Sequence, residues 1–147
     1  MASKGRRVLL VDDNQADIDL TKDTLSHHRF ISDVRTVPDG VEAMAYLQRI
    51  GRYRDTTTPD LMILDLNLPR KDGRAVLRAV KSDPALRQIP IVMFTTSESQ
   101  HDIETSYALG ANSYVSKPAN LTDYVSSINS LGDYWFGTAQ LPEQEEK

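Results

Sequence analysis

Leu61-Met62-Ile63-Leu64-Asp65-Leu66-Asn67-Leu68-Pro69 decides the fold of this 147-residue chain. Four apolar residues with no polar alternation read as a strand buried on both faces, as a parallel sheet requires. Asp65 stands at the C-terminal tip of that strand, where open α/β sheets place their chemistry. The same junction recurs elsewhere: Val8-Leu9-Leu10-Val11 runs into Asp12-Asp13, Ile91-Val92-Met93-Phe94 into Thr95-Thr96, and Ser113-Tyr114-Val115-Ser116 into Lys117-Pro118. Parallel strands carry these ends to one rim, which gathers three acids, a hydroxyl and a lysine.

The segments between the strands have helical spacing. Asn14 is placed to cap a first helix, with Asp17 as an acid in its first turn, where the helix dipole favours one. Residues 31–37 alternate weakly as a second strand and end at Pro38-Asp39-Gly40, a turn signature. Val41, Met44, Leu47 and Ile50 then form a stripe that Gly51 is positioned to stop, and residues 52–59 read as a loop. Val76, Leu77 and Val80 mark a third helix ended near Pro84. Ile103, Tyr107, Ala108 and Leu109 mark a fourth, starting at Ser99 or Gln100 and closed by Gly110 as a left-handed cap. Leu121, Val125, Ile128, Leu131 and Trp135 keep the spacing through the last. Five strands alternating with five helices predict a parallel sheet covered on both faces.

A net charge of −4, with no overall basic surplus, argues against a nucleic-acid footprint. The basic residues Arg70, Lys71, Arg74, Arg78, Lys81 and Arg87 alternate with apolar ones and read as a solvated helix face. The Lys4-Gly5-Arg6-Arg7 run precedes only four apolar residues, too few for a signal peptide or a membrane span. With no cysteine for a disulfide or a thiolate ligand, a cytoplasmic protein is expected. His27 and His28 are adjacent, so they cannot face one ion together on a helix, and they read as surface histidines with His101.

Three close carboxylates repel by about 3 kcal/mol per pair at ~5 Å and an effective dielectric near 20. A divalent cation removes that penalty, and an all-oxygen donor set suits Mg²⁺ or Mn²⁺ rather than zinc.

The residues in this order and at this spacing resemble the receiver domain of two-component response regulators, over residues 6–136, with 137–147 as a short tail. The resemblance implies a flavodoxin-like (βα)5 fold and assigns the rim. Asp65 is the phosphoacceptor. Mg²⁺, or Mn²⁺, is held by Asp13, Asp65 and the Asn67 backbone carbonyl, with Asp12 acting through water. Lys117 binds phosphate, Thr95 is the switch hydroxyl and Tyr114 the switch aromatic. It also implies a cis Lys117–Pro118 bond, and a phosphoacceptor that promotes its own Mg²⁺-dependent phosphorylation and dephosphorylation rather than an enzyme. Ala119 departs from the phenylalanine common after that proline, and Thr96 from a smaller residue.

Residues 137–147 are too few for an output domain, which predicts a signal leaving through the domain surface. Tyr134, Trp135 and Phe136 cannot all face one core from a helix, so at least one is expected exposed for a homodimer contact through the C-terminal helix. Residues 65–73, the 52–59 loop, residues 89–97 and the aromatic final helix before Leu141-Pro142 resemble the small regulators paired with phytochrome histidine kinases. The implied phosphodonor is then a phosphohistidine on such a kinase. A haloacid-dehalogenase-like phosphatase needs an acid two residues after its nucleophile, where Asn67 stands. A flavodoxin-like nucleotide binder needs a Gly- or Ser-rich cradle after the first strand, where Asp12-Asp13 stands.

Overall fold

A computed structural model describes residues 5–143; Lys4 of the N-terminal basic run and residues 144–147 of the tail lie outside the described residues. The elements follow in strict alternation: β1 (Arg6–Val11), α1 (Gln15–Ser26), β2 (Ile31–Val37), α2 (Gly40–Gln48), β3 (Leu61–Leu64), α3 (Gly73–Ser82), β4 (Ile91–Thr95), α4 (Gln100–Ala108), β5 (Ser113–Ser116) and α5 (Leu121–Gly132). All pairings are parallel, in the order β2-β1-β3-β4-β5. The order reverses beside β1, so the crevice outside the carboxyl ends of β1 and β3 is the topological switch point.

Alternate residues of each strand feed two cores. Leu9, Val11, Met62, Leu64, Ile91 and Met93 pack with Met44, Leu47, Val76, Leu77 and Val80 of α2 and α3. Val8, Leu10, Leu61, Ile63, Val92 and Phe94 pack with Ile18, Leu25, Tyr124, Ile128 and Leu131 of α1 and α5. Because both faces are buried, β1, β3 and β4 carry the unbroken apolar runs seen in the sequence.

Each of the five helices starts on a side-chain cap: Asn14, Asp39, Asp72, Ser99 and Asn120 each accept the backbone N–H three residues on. The helix N-termini thus crowd the same rim as the strand C-termini.

Some expectations need correction. Of the expected α2 stripe, Val41 is 39% exposed and Ile50, beyond the end of the helix, is 57% exposed, while Ala43 and Tyr46 join Met44 and Leu47 inside. The buried face follows the i, i+1, i+3, i+4 set of a 3.6-residue helix, from which a strict three-residue stripe drifts away. The helix stops earlier than Gly51, on Arg49 in a left-handed conformation (φ 58°), and Gly51–Tyr53 form a 3-10 turn that runs into the expected loop. His28 is buried rather than superficial: its side chain is 5% exposed and its Nε2 lies 2.8 Å from Asp133 Oδ1. Gly132 leaves room for the ring, since a Cβ there would come within 2.7 Å of Nε2. Among the described residues no peptide bond is cis, so Lys117–Pro118 is trans.

Gly110 takes the expected positive φ, at 109°. The last helix widens into a π-helical turn, Asp133–Thr138, that leaves Tyr134 54% exposed and packs Trp135 and Phe136 against the α1/α5 core. Among the described residues no helix is long and apolar enough to cross a membrane.

Candidate functional site

The rim is built by extending the sheet one residue past its strands. Asp12 N–H donates to Val37 O (3.2 Å), Asp65 N–H to Val11 O (3.0 Å), and Lys117 N–H to Thr95 O (2.7 Å). Asp12, Asp65 and Lys117 are therefore held by ladder-type backbone bonds, which fixes where their side chains begin. The segment after Asp65 is pinned by Leu66 and Leu68, both buried, and by the Gly73 N–H bonded to Leu66 O at 2.8 Å. The Asn67 N–H donates to Asp65 Oδ1 at 3.4 Å.

At the centre is the Lys117 ammonium. Its Nζ lies 2.8 Å from Asp12 Oδ2, 2.9 Å from Asp17 Oδ2 and 3.0 Å from Asp65 Oδ2. An ammonium has three N–H donors, so these carboxylates saturate it. The Lys117 side chain is only 4% exposed, and burial disfavours its charge. Hydrogen bonds to Asp12 and Asp17, and the charge of Asp65, outweigh that burial and hold its pKa above the usual lysine range. Asp12, 1% exposed, is pushed above the usual carboxylate range by burial, against the opposing hydrogen bonds from Lys117 and the Asn14 N–H. Asp13 is exposed beside it.

Among the described residues no three histidine, aspartate or glutamate side chains form a preformed metal cage. The donor set nonetheless fits a hard divalent cation. Asp12, Asp17 and Asp65 meet the Lys117 ammonium, exposed Asp13 follows Asp12 in the chain, and each of these carboxylates offers oxygen.

Thr95 is fully buried, and its Oγ1 accepts the Ser97 N–H at 3.4 Å. Tyr114, half-buried on β5, donates its hydroxyl to Ser97 O at 3.0 Å, and Ser116 Oγ donates to the same carbonyl at 3.3 Å. Ser97 Oγ donates to Asp102 Oδ2 (2.6 Å), which Arg74 of α3 also meets.

The structure thus brings Asp12, Asp65 and Lys117 into direct contact, sets Asp13 at the edge, and joins Thr95 and Tyr114 through Ser97. Sequence reasoning missed Asp17 as a partner of Lys117, because a first-turn acid is explained by the helix dipole alone. It also missed the Arg74–Asp102–Ser97 connection, which bridges two helices and a loop.

The family model described as response regulator receiver domain matches residues 8–129. The response regulator Rcp1 of Synechocystis sp. is 40% identical over 135 residues, covering 92% of both chains. Among solved structures, the phosphorylated cyanobacterial phytochrome response regulator RcpA superposes with a TM-score of 0.92 at 45% identity, over 95% of this chain and 100% of that one. The Mn²⁺-bound form of Rcp1 follows with a TM-score of 0.90 at 39% identity, over 94% and 99%.

Proposed function

This chain belongs to the response regulator receiver family of two-component systems, and from that premise we propose that Asp65 is its phosphoacceptor. As a receiver it is a signalling protein rather than a classical enzyme, its partner is a histidine kinase, and its family binds Mg²⁺. The assignment to Asp65 is carried by one observation: Lys117 Nζ touches Asp65 Oδ2 at the switch point of the sheet, with Asp12 on its other side.

Chemically, a carboxylate oxygen of Asp65 bonds to phosphorus in line with the phosphorus–nitrogen bond of a donor phosphohistidine. That bond breaks, and the imidazole leaves with the electron pair and takes up a proton. A carboxylate nucleophile needs no general base. Lys117 turns from the Asp65 oxygen to a transferring phosphoryl oxygen, so a donor already in place stabilises the developing charge. Asp13, Asp65 and the Asn67 carbonyl, with Asp12 in support, would hold Mg²⁺ or Mn²⁺, which would supply further neutralisation of phosphoryl charge. In dephosphorylation a water oxygen bonds to phosphorus as the phosphorus–oxygen bond to Asp65 breaks, inorganic phosphate leaves and the carboxylate is restored, and the same groups stabilise the transferring phosphoryl oxygens.

Thr95 donates its hydroxyl to the phosphoryl group of modified Asp65, and Tyr114 follows the loop that carries Ser97. The two arrangements pre-exist, and the dianionic phosphoryl group biases their population. The likeness to RcpA and Rcp1 supports a phytochrome-type donor kinase. Exposed Tyr134, which lines a groove of about 490 Å³ with Ser113, Val115, Leu131 and Trp135, supports a homodimer through the C-terminal helix, and we propose that phosphorylation strengthens it. Equal sedimentation coefficients with and without a phosphoryl mimic would refute that strengthening. The net charge of −4 supports a protein without a nucleic-acid partner.

The deciding experiment is intact mass after incubation with acetyl phosphate, with and without Mg²⁺, for the wild type and Asp65→Asn. One Mg²⁺-dependent phosphoryl adduct, absent from Asp65→Asn, is the expected result. An adduct that survives in Asp65→Asn, or none in the wild type, refutes the assignment.

A further inference from the structure

Asp17 belongs to the first turn of α1 and to none of the strand-end segments, yet its carboxylate lies as close to Lys117 Nζ (2.9 Å) as those of Asp12 (2.8 Å) and Asp65 (3.0 Å). Its backbone is held from two sides. The Asp17 N–H donates to the Asn14 cap at 3.0 Å. Its carbonyl lies 3.5 Å from the Tyr124 hydroxyl of α5. The carboxylate is therefore fixed to the α1/α5 framework, not to the segments that must rearrange.

The three contacts differ in fate when Asp65 is modified. An acyl phosphate removes the negative charge that Asp65 Oδ2 offered to Lys117 and sets phosphoryl oxygens nearby. The Asp12 and Asp17 carboxylates are not modified and stay beside the ammonium. An ammonium tied by two of its three N–H groups has one donor direction left, and here it is the direction of Asp65. Tied by Asp12 alone, the flexible lysine stem would be free to swing about a single bond.

Resting on the phosphoacceptor reading, we propose that Asp17 is a positioning residue: its carboxylate anchors the Lys117 ammonium to α1 so that the remaining N–H stays aimed at the phosphoryl group on Asp65. The competing account makes Asp17 a first-turn acid that favours the helix and nothing else. That account predicts a change in stability without any change at Lys117.

The test reads Lys117 directly. In metal-free protein labelled with ¹⁵N-lysine, the Lys117 Nζ resonance, assigned by its loss in Lys117→Arg, exchanges its protons slowly in the wild type. Asp17→Ala accelerates that exchange and shifts the resonance. Asp19→Ala, which removes an acid of the same helix whose partner is Gln15, leaves both unchanged. With Mg²⁺ and acetyl phosphate, adduct formation at Asp65 slows about tenfold in Asp17→Ala, and Asp17→Asn, which keeps an acceptor oxygen, recovers part of the rate.

Unchanged Lys117 exchange in Asp17→Ala overturns the proposal, and so does a phosphorylation rate indifferent to Asp17 in a protein that is phosphorylated. A wild type that takes up no phosphoryl group removes the reading beneath the proposal and overturns both. These failures are distinct, because the lysine spectrum needs neither metal nor phosphodonor.

Discussion

The Tyr114 hydroxyl donates to the Ser97 carbonyl at 3.0 Å, while the Ser97 N–H donates to Thr95 Oγ1 at 3.4 Å. One residue therefore connects the buried hydroxyl at the end of β4 to the aromatic on β5. If Thr95 turns its hydroxyl toward a modified Asp65, the Ser97 N–H loses its acceptor, and the carbonyl that Tyr114 grips moves with it. Thr95→Val keeps the β-branched shape and removes only the hydroxyl. The expected outcome is an Asp65 adduct that still forms in Thr95→Val but no longer changes the ¹⁹F signal of fluorotyrosine at position 114. A full Tyr114 response in the valine variant would break the link between the two residues.

Gly73 opens α3 directly against the backbone of Asp65. A Cβ at this position would stand 2.1 Å from Asp65 O and 2.8 Å from Leu66 Cα. Alanine in a helix is ordinarily favoured over glycine by about 1 kcal/mol, so Gly73→Ala separates propensity from packing. The clash is with backbone, which has no rotamer escape, and overpacking of this kind costs about 1–3 kcal/mol. The expected result is a lower urea midpoint together with slower phosphorylation, because Asp65 itself is pushed. A stabilised Gly73→Ala variant would mean that the β3–α3 segment yields easily.

Tyr124 carries a dependence on alkaline pH. Burial against Phe94, and secondarily the nearby charge of Asp17, push its phenol up to about 12, although the 2.8 Å hydrogen bond with Thr21 pulls the other way. A phenol with a raised folded pKa keeps its proton longer in the native state than in the unfolded one. Stability is thus unaffected by this group below the unfolded value near 10 and falls as pH rises toward the folded value. Urea titrations between pH 9 and 12 should show a steeper loss for the wild type than for Tyr124→Phe. Parallel losses would mean that Tyr124 ionises without penalty.

Much of this architecture was legible because each signal was local. Leu61–Leu64 is buried throughout, so its unbroken apolar run was its own evidence. Asn14 announces its helix through a cap that reaches only three residues. Asp12, Asp65 and Lys117 were legible as strand ends, which parallel topology must bring together. What escaped depends on the rotation of a helix about its axis. Asp17 faces Lys117 only because α1 docks with Ile18, Thr21 and Leu25 inward, and no spacing rule links positions a hundred residues apart. His28 escaped for a related reason: its burial depends on a missing side chain at Gly132 on another helix.

That last pair supports a prediction with a built-in control. Gly132 ends α5, where its Cβ would meet His28 at 2.7 Å from Nε2, while the ring holds Asp133 at 2.8 Å. Here the obstacle is a side chain rather than backbone, so it can be removed. Gly132→Ala alone should lower the unfolding midpoint and loosen the π-helical turn of Asp133–Thr138, read as faster amide exchange there. His28→Ala alone opens a void and also destabilises. In the double variant the new methyl enters the space the ring has left, so its loss should be smaller than the sum of the two single losses, with a coupling of at least about 0.5 kcal/mol expected for residues in contact. Strict additivity would show that the methyl and the ring never compete, and that the α1–β2 corner does not brace the aromatic turn.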